Sequence, residues 1–143
     1  IPNFKARVGY SERMAHLIEA GADFFMMPSR YEPCGLNQMY SLHYATLPIA
    51  HRTGGLADTI SNYNQETGAG TGFLFDILTP RSIYDTTGWA VWAYYNKREH
   101  LDEMRLRAMR QEFSWVRAAR EYAVLYASAI DAGGGAKTVP AKE

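Results

Sequence analysis

The spacing of apolar positions changes several times along the chain, and each change predicts an element. NFKARVGY, residues 3–10, is extended and partly apolar and predicts a first strand. SERMAHLIEAG then offers Ser11 as an N-cap, Met14, Leu17 and Ile18 on one face, and Gly21 as a stop, which predicts a helix. ADFFMMP is a short continuous apolar run closed by Pro28, the pattern of a strand buried on both faces of a parallel sheet. LNQMYSLHYAT has helical spacing, LPIAHR reads as a second buried strand, TGGLADTI as a short helix and GFLF as a last strand. From Pro80 to about Ile130 the pattern is helical, with breaks predicted near Lys97–His100 and near Phe113–Ser114, where Ser114 is placed to cap the final helix.

Strands alternating with helices at this spacing predict an α/β fold, a right-handed, doubly wound, Rossmann-like parallel sheet with helices on both faces, in three αβα layers. Three or four strands are countable where a complete nucleotide-binding sheet has five or six, so the sheet is expected to be partial, with its upstream part missing. The first residue is Ile1 and not Met, in keeping with a piece of a longer protein. Residues 1–130 are expected to form the folded lobe. The stretch 131–143, DAGGGAKTVPAKE with the Asp at 131, has no apolar periodicity and is expected to be a disordered tail.

Composition narrows the function classes. Fifteen basic and fifteen acidic residues cancel, so no net field draws the chain to nucleic acid or an anionic membrane. No apolar run reaches the roughly 18 residues that cross a bilayer. The single cysteine, Cys34, excludes an intrachain disulfide and suits a reducing compartment, hence a cytoplasmic expectation. Four histidines and one cysteine show no zinc spacing, so neither a metal nor another cofactor is expected.

The chemistry concentrates in PSRYEPCGL. Ligands of open parallel sheets bind outside the carboxyl ends of the strands, and Ser29 to Gly35 follow the predicted strand that ends at Met27. Glu32 therefore stands at the ligand rim. Its loop enters a helix N-terminus, where the amides of Gly35, Leu36 and Asn37 point outward. An acceptor beside a fan of donors suits a sugar next to a phosphate. The spacing equally allows Glu32 to cap the helix and pair with Arg30. Thr53, Gly54 and Gly55 occupy the same kind of strand-to-helix junction, as a second ligand-facing loop or as a plain tight turn. GAGTG, at 68–72, precedes a strand and lacks the following helix, so it is read as a loop and not as a dinucleotide fingerprint. Cys34 with His43 or His51 would need a positioned base to act as a nucleophile. The aromatic run Trp89, Trp92, Tyr94 and Tyr95 is read as core and packing surface, with a sugar-stacking platform as the alternative.

The block from Pro28 to Ile60, PSRYEPCGLNQMYSLHYATLPIAHRTGGLADTI, resembles the C-terminal lobe of bacterial glycogen synthases and plant starch synthases, retaining glucosyltransferases of the two-lobed GT-B fold. The likeness extends from about Arg7 to Ile130, and FSWVRAAREYAVLY resembles the family's closing helix, which ends near the lobe junction. The resemblance implies transfer of glucose from ADP-glucose to the non-reducing end of an α-1,4-glucan. It implies that Glu32 is the essential acid, contacting donor-glucose hydroxyls, and that the amides of Cys34, Gly35 and Leu36 bind sugar hydroxyls and phosphate. Asn37 stands where many relatives carry Thr, and Tyr40 where related transferases hold the ribose with a second Glu. Tyr10 resembles the adenine-stacking residue, and Thr53 and Gly54 are candidate substrate contacts from their place at the strand-to-helix junction. The implied partners are ADP-glucose or ADP, the α-glucan acceptor and the missing N-terminal lobe.

The family's upstream Arg/Lys pair and the KTGGL-type loop of the other lobe are not in this chain. Two absent cations cost about 3–6 kcal/mol, or two to four decades of affinity. The chain alone is thus expected to bind ADP-glucose no better than about millimolar and to be inactive. A stand-alone nucleotide- or sugar-binding module without catalysis is the alternative.

Overall fold

Three short strands, β1 (Phe24–Met27), β2 (Leu47–His51) and β3 (Phe73–Phe75), form one parallel sheet in the order β1-β2-β3. The computed structural model describes residues 3–133. Helices α1 (Glu12–Gly21), α2 (Asn37–His43), α3 (Gly54–Thr59), α4 (Pro80–Asn96), α5 (Arg98–Met109) and α6 (Trp115–Gly133) complete the fold. The chain divides into two units, Ile1–Gln111 and Glu112–Glu143.

In the first unit, strand register sorts the core into two faces. Met27, Ala50 and Leu74 stand abreast and pack with Leu56 of α3 and with Ile60. Phe24, Ile49 and Phe73 point the other way, because side chains alternate along a strand. There the ring of Phe73 meets Trp89 of α4 and Tyr63 edge-on or tilted, each at 5.1–5.3 Å, and Phe24 meets Tyr94 at 6.1 Å. Helices thus cover both faces, as the three-layer expectation requires. Trp89 and Tyr94 belong to this core, whereas Trp92 and Tyr95 of the same run are exposed. Pro48 is tolerated inside the central strand because the β2–β3 ladder begins one residue later, at Ile49.

Residues 3–10 form no strand. An extended segment becomes a strand only when a neighbour takes its N–H and C=O groups, and no such neighbour faces this one among the described residues. Tyr10 accordingly precedes α1 in coil and is fully exposed. Ser11 does cap α1, accepting from the Met14 amide at 3.3 Å. The expected apolar face of α1 is only partly used, with Leu17 and Ile18 exposed and Glu19 buried. Burial pushes the Glu19 carboxyl up, against a smaller opposing pull from His16. Its Oε2 has no donor among the described residues.

Helix α2 ends in a Schellman motif, with Thr46 N–H donating to Ser41 O at 2.9 Å and Ala45 N–H to Leu42 O at 3.1 Å. Ala45 takes the left-handed conformation, φ 63°, that glycine usually fills. The 62–72 loop is held by Arg107, whose guanidinium donates to the carbonyls of Gly68 (2.8 Å) and Gly70 (3.3 Å). Tyr63 OH lies 2.9 Å from His100 Nδ1 and closes the other side. The α4–α5 break falls at Lys97 alone.

In the second unit, α6 starts directly after Ser114, buries no residue and carries an Arg117–Glu121 ion pair at 3.0 Å. Asp131–Gly133 continue this helix, and the rest of the expected tail, 134–143, lies outside the described residues.

Candidate active site

The loop after β1, residues 28–36, carries the candidate acid, and three separate elements hold its backbone. The His51 Nδ1 atom, at the end of β2, lies 2.8 Å from the Ser29 carbonyl oxygen. A carbonyl only accepts, so the hydrogen sits on Nδ1 and the ring is committed to the loop. The His51 ring also stacks on Phe75 at 5.6 Å. At the start of α3, Gly55 N–H donates to Glu32 O at 2.8 Å. From α2, Gln38 Nε2 donates to Cys34 O at 2.8 Å and to Gly35 O at 3.0 Å.

These ties leave the Glu32 side chain half-buried at the carboxyl end of the sheet. It does not cap α2, whose N-cap is Leu36 with no side-chain cap bond. It makes no ion pair with Arg30 or any other described residue. The two local roles that the spacing allowed are therefore absent. The amides of Cys34, Gly35, Leu36 and Asn37 likewise have no acceptor among the described residues. One turn thus presents an unpaired carboxylate and a group of unpaired N–H donors, the combination that accepts hydroxyls and donates to an anion.

Gly35 adopts φ 73°, which glycine takes without strain, and a Cβ there would overlap the Gln38 side-chain amide. The second loop behaves differently from a plain ligand cradle. A Cβ on Gly54 would overlap the Glu32 carbonyl, and one on Gly55 would overlap that of Cys34. The close backbone approach that this glycine pair permits is to the chain's own main chain. The Thr53 hydroxyl stays free, because Thr53 is the N-cap of α3 without a side-chain cap bond.

Glu32, Cys34, Gly35, Leu36, Thr53 and Gly54 are therefore gathered at one junction. Asn37 opens α2 and is exposed. Tyr40 is turned toward α1, its ring 5.1 Å from that of His16. Tyr10 borders a 220 Å³ depression together with Arg7, Ser11, Met14 and Ile18. Cys34 is exposed, its Sγ 3.5 Å from Gly35 O, and His51 is already engaged with Ser29, so the pair does not form a nucleophile and base. No group of three or more His, Cys, Asp or Glu suited to a metal ion occurs among the described residues.

Sequence reasoning missed Gln38 and the structural use of His51. A glutamine in a helical run reads as a surface residue. Its shared helix face with Ser41 and Leu42, three and four positions on and both buried, was the available signal.

No family model matches the chain. Over 131 residues, 92% of its length, it is 63% identical to a glycogen synthase of Treponema denticola, of which it covers 27%. It is 48% identical over 127 residues to glycogen synthase 1 of Geobacter metallireducens, covering 25% of that protein. In three dimensions it matches the catalytic domain of starch synthase IV from Arabidopsis thaliana, solved with ADP and acarbose. The TM-score is 0.77 at 31% identity, over 87% of this chain and 26% of that one. The chain spans about a quarter of the length of these relatives. Its α/β fold is that of part of a GT-B glycosyltransferase catalytic domain.

Proposed function

We propose that this chain, homologous to about a quarter of a glycogen synthase, forms the donor-sugar side of a retaining glucosyltransferase that extends α-1,4-glucans from ADP-glucose. The observation that carries the proposal is the unpaired Glu32 carboxylate beside the unpaired amides of Cys34 to Asn37. In this reading Glu32 accepts hydrogen bonds from hydroxyls of the donor glucose and holds its anomeric carbon toward the acceptor. The amides of Cys34, Gly35 and Leu36 face the neighbouring sugar oxygens and the phosphate, and negative charge growing on the departing ADP strengthens those bonds as the glycosidic bond breaks. Asn37, Thr53 and Gly54 extend the polar rim, while Tyr40, whose ring meets His16, and Tyr10, exposed before α1, are proposed to serve the ribose and the adenine. Glucose passes to the 4-hydroxyl at the non-reducing end of the glucan.

In this reading the phosphate-binding cations and the acceptor side come from the other three quarters of such an enzyme, so the chain alone is proposed to be inactive. The test is a chimera in which this chain replaces the 131 matching residues of the Treponema denticola enzyme. The chimera is expected to extend glucan from ADP-glucose, and Glu32→Ala to lower kcat on the order of 10²–10³-fold with an unchanged melting temperature. Normal turnover by folded Glu32→Ala would overturn the assignment.

A further inference from the structure

We propose that Gln38 is a positioning residue that fixes the Glu32 loop for glucosyl transfer through Thr59, a role that rests on the reading of Glu32 above. The hydrogen bonds form a closed circuit. Gly55 N–H donates to Glu32 O at 2.8 Å. The Thr59 hydroxyl donates to Gly55 O at 2.5 Å. Gln38 Nε2 donates to Thr59 Oγ1 at 3.2 Å and to Cys34 O at 2.8 Å, which returns the circuit to the loop two residues beyond Glu32.

Every link has a fixed direction. Thr59 commits its only hydrogen to Gly55 and must therefore accept from Gln38. The Cys34 and Gly35 carbonyls can only accept. The Gln38 amide is thus set with Nε2 on these acceptors, while its Oε1 lies against the Cα of Gly35, in the space that a Cβ there would fill. Gln38 is fully buried, and Oε1 has no donor among the described residues.

That orphaned oxygen is the informative feature. A buried acceptor without a partner destabilises the fold, and a methionine of similar shape would fill the same space without it. Glutamine is a poor choice for packing alone. What only its Nε2 supplies is two hydrogens shared among Cys34 O, Gly35 O and Thr59 Oγ1, and that grip sets where the loop holds Glu32 relative to the Gly54–Gly55 backbone.

The test uses Gln38→Met, Thr59→Val and Thr59→Ser in two settings. In the 143-residue chain, hydrogen exchange at the Gly55 amide is expected to speed up at least about tenfold in Gln38→Met and Thr59→Val. Exchange at the Arg52 amide, which donates to Phe75 O at 2.9 Å, should not change. In the chimera the same two variants should lower kcat by about 10- to 100-fold with KM for ADP-glucose altered less than about threefold, and Thr59→Ser should restore turnover. Wild-type kcat and Gly55 exchange in Gln38→Met would overturn the proposal. So would a loss of turnover that merely tracks the fraction of folded protein. Turnover that survives Glu32→Ala would instead refute the reading of Glu32 and with it the catalytic role, while Gly55 exchange would still report whether Gln38 holds the loop.

Discussion

The amide of Gly55 donates to the carbonyl of Glu32 across 2.8 Å, and this single bond joins the start of α3 to the loop that carries the candidate acid. It is possible only because neither Gly54 nor Gly55 has a side chain to hold the two backbones apart. The geometry of the acid is therefore set partly by a helix that contributes no acid or base to it.

Gly55→Ala places a Cβ against the Cys34 main chain, which has no rotamer with which to move aside. The expected cost is about 2–3 kcal/mol, or loss of folding. Gly88→Ala is the control, since nothing lies within 4 Å of its Cβ position in α4. It should stabilise by about 0.5–1 kcal/mol. Urea denaturation of both variants checks the pair, and equal midpoints would refute the close-approach account.

Glu19 gives the fold a pH dependence. Burial raises its carboxyl above the ordinary 4.5, so the folded chain holds this proton more tightly than the unfolded chain does. Its contribution to stability is fully present below the unfolded value and is lost as pH rises through the raised, folded one. Glu19→Gln should therefore stabilise at neutral pH by about 1 kcal/mol, a shift of a few degrees in Tm. The difference from wild type should vanish in acid. Thermal unfolding across a pH series measures it, and a destabilised variant at pH 7 would contradict the sign.

Ala45 supplies a third test. Its left-handed backbone, φ 63°, carries a steric penalty that glycine escapes. Ala45→Gly is expected to stabilise by up to about 1 kcal/mol, read as a higher denaturation midpoint with an unchanged slope. A lower midpoint would show that the unfolded-state freedom of glycine outweighs the relief.

The three strands were legible because ADFFMM, LPIAHR and GFLF are continuous apolar runs, but β1, expected to be buried on both faces, lies at the sheet edge with Met26 exposed and only Met27 buried. NFKARVGY misled because a strand is a relation between two segments, and one segment alone cannot reveal whether its neighbour is present. The stop of α2 was hidden because Ala45, not glycine, takes the left-handed position. That Glu32 lies in a loop just past the carboxyl end of a strand could be read from topology alone. The circuit that holds it could not. Gln38 and Thr59 are 21 residues apart, and nothing in the composition of either segment announces that they meet. The Gly54–Gly55 pair was recognised as a site of close approach, but what approaches is visible only in three dimensions.

Obstruction by main chain also shapes how this chain can be varied. A survey of all single substitutions would mark Gly54 and Gly55 as sharply intolerant for a reason independent of any sugar, so intolerance there is no map of donor contacts. Asn37 and Tyr40, by contrast, are exposed and carry none of the junction's internal side-chain bonds, so substitutions there should be tolerated by the fold.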